Sequence, residues 1–242
     1  MPISKYRIAG LKVLVNTENA MLLTRGRQYL SDFDGDADIT IDVPRERIEK
    51  DAEEKKQPFD ICEYMYTGAV FYAHLLRFYG FMLHSSAIAY DGKAYLFSAP
   101  CGTGKSTHAS LWREFLGEEK VIMINDDKPA VRLENDTFTV YGTPWSGKDD
   151  LSCNIAVPLG GIVFLKRAGK PYMTTVDTTE AIKNLLWQAS RPLHPKAMDR
   201  LLQIIEKLIE NVPIYELGCD ISRESFELSF NTLTKKREND GK

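Results

Sequence analysis

Cysteine is scarce in this chain: Cys62, Cys101, Cys153 and Cys219 are scattered through 242 residues, with no C-x-x-C pair. That excludes a disulfide framework and offers no spacing for a structural zinc site. Long apolar runs are missing too. None approaches the ~20 residues that span a bilayer, and no charged segment followed by an apolar core opens the chain. Neither sign of charge dominates, since 31 Lys and Arg stand against 34 Asp and Glu for a net charge of −3. There is therefore no basic field to attract nucleic acid or an anionic membrane. No internal repeat is present. Together these absences predict a cytoplasmic protein with reduced thiols and with neither nucleic acid nor membrane as partner. What the chain does have is 43% apolar residues, enough for the core of one large α/β domain or a domain with an extension.

The chain is organised around Ser98-Ala99-Pro100-Cys101-Gly102-Thr103-Gly104-Lys105-Ser106-Thr107. Ala94 to Phe97 reads as a buried strand and Lys105 to Leu116 as the helix that follows. Gly102 and Gly104 let successive backbone N–H groups converge on a polyphosphate, in front of the positive end of the helix dipole. Lys105 adds an ammonium for the terminal phosphates, and the Ser106 hydroxyl suits the shell of a Mg²⁺ ion. Residues Cys101 to Thr107 are thus the candidate nucleotide-binding set. The full Walker A pattern has a glycine where this chain has Ala99. A thiol at Cys101 in this electropositive loop should ionise easily, so its oxidation would block nucleotide binding, although nothing else in the sequence supports such a redox switch.

Upstream, Tyr6 to Ile8, Lys12 to Val15, Met21 to Leu23 and Asp38 to Val43 read as short strands of an antiparallel meander. Asp32, Asp34, Asp36 and Asp38 alternate as in a calcium loop, but the glycine and closing Glu are misplaced, so an acidic turn is the better reading. Pro44 to Lys56 reads as a solvated helix or connector, and Phe59 to Leu83 as a helix with a wide apolar face. Downstream, Asp91-Gly92 and Asn135-Asp136 mark two hairpins. Val121 to Asn125 is an apolar strand ending in Asp126-Asp127. Ligands of open α/β sheets lie at the carboxyl ends of strands, so these acids belong near the phosphates, one to hold Mg²⁺ and one to orient or deprotonate a hydroxyl. The Gly142 to Asp150 loop, with Trp145, Lys148 and Asp149, either closes over substrate or is an exposed turn anchored by a packed Trp. Gly161 to Leu165 is a further buried strand, with Lys166 and Arg167 at its end as candidate phosphate contacts. Thr179 to Ser190, Pro195 to Asn211 and Glu224 to Leu233 read as helices, Ile214 to Leu217 as a strand, and Lys235 to Lys242 as a frayed tail.

His84, Ala99 to Ser106 and Asp126-Asp127 together resemble the catalytic domain of HPr kinase/phosphorylase and, more distantly, ATP-dependent phosphoenolpyruvate carboxykinase, over roughly residues 82 to 170. The resemblance implies an α/β fold, with a P-loop nucleotide-binding domain on a mixed central sheet over 81–242. Before it stands an N-terminal β-meander and connecting helix over 1–80. It further implies ATP on the loop amides and Lys105, Mg²⁺ on Ser106 and Asp127, Asp126 as base toward a hydroxyl, and His84 near the reacting phosphate. The metal-binding acid of the kinase family's later glycine-rich segment is not recognisable, and Asp149 or Asp150 is the candidate replacement. Trp145, Lys148, Asp149 and Arg167 are the candidate substrate contacts. The expected activity is ATP- and Mg²⁺-dependent phosphoryl transfer to a hydroxyl of a protein, peptide or small molecule. A nucleotide-binding module without transfer, or the reverse phosphorylase or phosphatase reaction, stays open, as do purine preference and homo-oligomer formation.

Overall fold

Residues 3–235 are described by the computed structural model, so the expected frayed tail beyond Lys235 lies outside the described residues. Alternating apolar residues build β1 (Ile3–Ile8) and β2 (Leu11–Asn16), which pair antiparallel around Ala9-Gly10, both at positive φ. The meander expectation fails at the next element. Met21 to Leu23 lies in helix α1 (Ala20–Arg25), because the Asn19 side chain accepts from the Leu22 amide and caps a helix start. The helical crossover then returns β3 (Ile39–Asp42) parallel to β2, making a mixed three-stranded sheet. The aspartates before it form a turn: the Asp38 carboxylate accepts from the Lys12 amide, and Lys12 Nζ donates to the Asp34 carbonyl.

Helix α2 (Arg45–Lys55) buries only Ile48, as its charge density implies. Helix α3 (Phe59–Leu75) is shorter than the expected 59–83. A 3-10 turn at Leu76–Phe78 and left-handed Tyr79 end the helical path, and β4 (Gly80–Met82) begins where a Cβ on Gly80 would lie 2.5 Å from Arg132 Cγ. Only glycine lets the backbone pass there.

Beyond this the chain forms β5 (Ser85–Tyr90), β6 (Lys93–Ser98), α4 (Lys105–Leu116), β7 (Ile122–Asn125), β8 (Ala130–Glu134) and β9 (Thr137–Tyr141). It continues through β10 (Ala156–Arg167), β11 (Tyr172–Thr175), α5 (Thr178–Gln188), α6 (Pro195–Asn211), β12 (Ile214–Cys219) and α7 (Arg223–Thr234). Both expected hairpins form, with Asp91-Gly92 and Asn135-Asp136 at positive φ. Among the described residues nine strands make one curled mixed sheet, ordered β4-β8-β9-β10-β6-β5-β7, with β12 beside β10 and β11 beside β12. Strand β10 causes the curl. Its first residues pair antiparallel with β9, while the rest runs parallel to β6 on one side and β12 on the other.

These pairings place the site. Because β5 is antiparallel to both β6 and β7, the carboxyl ends of β6, β7, β10 and β12 all reach one edge of the sheet. Helix α4 is pinned below that edge by Trp112, fully buried against Tyr95, Phe97, Phe226 and Phe230, with its indole N–H donating to Ser229 Oγ at 3.0 Å. Helices α5 and α6 cover another part of the sheet through Leu185, Leu201, Ile204 and Leu208. The N-terminal sheet and α3 share a cluster that also takes in Ala130 and Trp145. No helix among the described residues is long and apolar enough to cross a membrane.

Candidate functional site

The loop between β6 and α4 is a backbone construction. Gly102 and Gly104 hold φ of +76° and +120°, and among the described residues a Cβ on either would meet nothing within 4 Å and no side chain caps α4. The first amides of the helix therefore keep their donors for a ligand. Lys105 is buried, its Nζ donating to the Ala99 carbonyl at 3.1 Å, so the ammonium lies beneath the loop. Burial lowers its pKa, and the nearby Asp127 charge opposes that shift. Cys101, Gly102, Ser106 and Thr107 are exposed, with Thr103 and Gly104 half-buried. Arg167, at the end of β10, donates through Nη2 to the Gly102 carbonyl at 2.6 Å, whereas Lys166 pairs with Glu216. Beside the loop a cleft of about 390 Å³ is lined by Thr107, His108, Arg167, Asp220 and Ile221.

The acid pair is a side-chain construction. Asn125 is fully buried at the end of β7, and its Oδ1 accepts from the amides of Asp127 at 2.9 Å and Lys128 at 2.6 Å. Its Nδ2 donates to the carbonyls of Thr143 at 3.1 Å and Trp145 at 3.3 Å, so one amide group ties the acids to the following loop. Asp126 is 5% exposed and its carboxylate accepts from the Gly147 amide. Burial raises its pKa, the Gly147 hydrogen bond working against the shift. Asp127 is half-buried between His84, whose Nε2 lies 3.2 Å from Oδ1, and the ammonium of Lys128 on Oδ2. Burial opposes its ionisation, but the His84 hydrogen bond and the Lys128 charge outweigh it and hold the carboxyl far below its ordinary value. His84 Nδ1 in turn faces Gln188 Oε1 at 3.0 Å. The two halves of the site meet through Ser86, whose hydroxyl lies 3.4 Å from Ser106 Oγ and donates to the Asp126 carbonyl.

One expected substrate contact is misplaced. Trp145 is buried, stacked 4.9 Å from Phe71 and edge-on to Tyr72, with Nε1 donating to Thr67 Oγ1 at 3.2 Å. A Cβ on Gly68 would approach the indole to 2.9 Å, so this groove is cut to fit it. The side chain is an anchor, as the alternative reading of the loop had it. Lys148 and Asp149 are exposed at the loop tip, and Asp150 pairs with Arg25 at 3.2 Å. Asn125, Thr143, Gln188, Ser86, Lys128, Arg25 and Tyr64 escaped the sequence reading. Asn125 had a signal, since Asn at a strand end before a polar turn reads as an Asx turn. Gln188 and Arg25 had none, because their partners lie 104 and 121 residues away.

Fold and site together define a mixed α/β protein that presents a glycine loop and a paired-acid strand end on one sheet edge. The model of the family described as SynChlorMet cassette protein ScmC matches residues 47–228, about three quarters of the chain, and the protein belongs to that family. Among solved structures, the chain is similar to the Hpr(Ser) kinase/phosphatase from Coxiella burnetii at 14% identity, over 63% of this chain and 87% of that one, with a TM-score of 0.37. No match is found among curated proteins.

Proposed function

We propose that the protein binds ATP with Mg²⁺ and transfers the γ-phosphoryl group to a hydroxyl of a protein, peptide or small molecule. The observation that carries this reading is the shared sheet edge: free loop amides and buried Lys105 on the β6 side, Asp126 and Asp127 on the β7 side, joined through Ser86. The loop amides and Lys105 take the phosphates, and the nucleoside lies in the cleft beside Thr107 and Ile221 with Arg167 at its rim. Hard oxygen donors suit Mg²⁺, and the Ser106 hydroxyl and Asp127 carboxylate are of that kind. These two residues would hold it, and the ion would neutralise charge on the β- and γ-phosphates.

Asp126 accepts the acceptor's hydroxyl proton as that oxygen bonds to the γ-phosphorus and the bond to the ADP oxygen breaks. A carboxylate whose pKa is raised by burial is a better base for that step. His84, fixed between Asp127 and Gln188, faces the same reacting region. Exposed Lys148 and Asp149 are placed to meet the acceptor. Calorimetry and a phosphoryl-acceptor screen on two variants test this. Lys105→Ala should weaken ATP binding about 100-fold, through loss of a charge-assisted contact worth roughly 2–3 kcal/mol. Asp126→Asn should leave binding intact and lower transfer by roughly 10²- to 10⁴-fold. Unchanged ATP affinity in Lys105→Ala removes the reading.

A further inference from the structure

The N-terminal unit reaches into this site. Arg25, the last residue of α1, is largely buried and spends its guanidinium on the far loop. Its Nη1 donates to Tyr64 OH at 2.8 Å, to the Ser146 carbonyl at 3.0 Å and to Ser146 Oγ at 3.2 Å, while Nε pairs with Asp150 at 3.2 Å. Tyr64, on α3, receives the Ser146 amide at 2.9 Å and donates to the Pro144 carbonyl at 3.0 Å. Ser146 Oγ closes the ring on Asp150 at 2.7 Å. The next residue is Gly147, whose amide donates to the Asp126 carboxylate and whose missing Cβ would stand 2.7 Å from Asp126 Oδ2. The main chain of Asp126 is held by the same loop, its amide donating to the Leu151 carbonyl at 3.0 Å.

We propose that Arg25 is a positioning residue for Asp126, setting the 144–150 loop so that the Gly147 amide fixes the orientation of the carboxylate. Its assignment to phosphoryl transfer rests on the kinase reading above, but the geometric part does not. A lysine at position 25 could keep the charge opposite Asp150 but could not make all four of these contacts at once. A planar fork that meets a phenol, a carbonyl, a hydroxyl and a carboxylate at once is a property of arginine. The brace costs the carboxylate its rotational freedom, and a base held in one rotamer meets its proton without searching.

The test uses the full chain labelled with ¹⁵N-glycine, which has 16 glycines to resolve. The Gly147 amide is identified by its loss in Gly147→Ala. In the wild type its proton resonates downfield because it bonds to a carboxylate; Arg25→Gln moves it upfield, in the sense that Asp126→Asn does. In the transfer assay Arg25→Gln lowers kcat roughly 10- to 100-fold at unchanged KM for ATP, and Arg25→Lys restores part of it. If Arg25→Gln does not fold, Tyr64→Phe removes one hydroxyl from the same ring and is read by the same resonance. A folded variant with an unmoved Gly147 resonance overturns the proposal, as does a loss of kcat that follows the fall in thermal midpoint and in ATP affinity alike. If the wild type transfers to no acceptor, the kinase reading fails while the resonance still decides whether Arg25 sets Asp126.

Discussion

The glycine loop and the acid pair share one sheet edge and are built by opposite means. The loop is made of main chain, with two glycines in left-handed or more open conformations, empty space around their Cα atoms and a helix start that no side chain caps. The acid pair is made of side chains, each held by a specific partner: buried Asn125 for the turn, the Gly147 amide for Asp126, His84 and Lys128 for Asp127. A surface made of free amides can accept any phosphate of the right shape. A carboxylate fixed by its neighbours is aimed at one place. The molecule thus separates holding from directing.

That contrast can be broken by substitution. The largest effect is expected at Asn125. Asn125→Ala leaves two half-buried amides and the buried Thr143 carbonyl short of a partner and should cost about 3 kcal/mol of stability, read by urea unfolding, while the ATP affinity proposed for the loop half should stay unchanged. Equal loss on both sides would mean that the halves are one construction. A smaller effect concerns the floor of the loop helix. His108 is buried with Nε2 3.0 Å from Ser229 Oγ, and burial brings its pKa down from 6.5 to about 4. The unfolded chain takes up a proton as pH falls through 6.5, and the folded chain does not until about 4. Stability is therefore full above pH 6.5 and lost toward 4, by about 2 kcal/mol between pH 7.5 and 5, and His108→Gln should flatten that slope. The smallest effect is Gly102→Ala. The new methyl meets nothing, so only the positive φ is penalised, at about 1 kcal/mol. A much larger loss would show that the loop is packed rather than open.

The same division explains what the sequence could tell. Gly102, Gly104, Lys105 and the strand-ending Asp126-Asp127 are legible because main-chain shape is encoded locally, by residues that permit it. Helix α4 begins at Lys105 and ends at Leu116 as its periodicity predicts. Illegible were the long-range partners: Arg25 on Ser146, Tyr64 on Pro144, Gln188 on His84. Any arginine or glutamine on a half-buried helix reads alike until the partner strand is placed. Met21 to Leu23 misled for the opposite reason. Three apolar residues suit a strand or a helix equally, and the Asn19 cap, not their hydrophobicity, decided the outcome. Trp145 was visible as a rare residue in a polar loop, but its groove on α3 was not.

Strand β10 gives the two halves a common ruler. Its early residues are stitched to β9, which runs into the segment carrying Trp145 and Gly147, and its later residues to β6, which runs into Gly102 and Gly104. Sliding it by one residue would displace one half against the other by roughly 3.3 Å and turn every inward side chain outward. The proposed transfer, which would need base and phosphate aligned to a fraction of that distance, would thus have its spacing written into hydrogen-bond register before any ligand arrives.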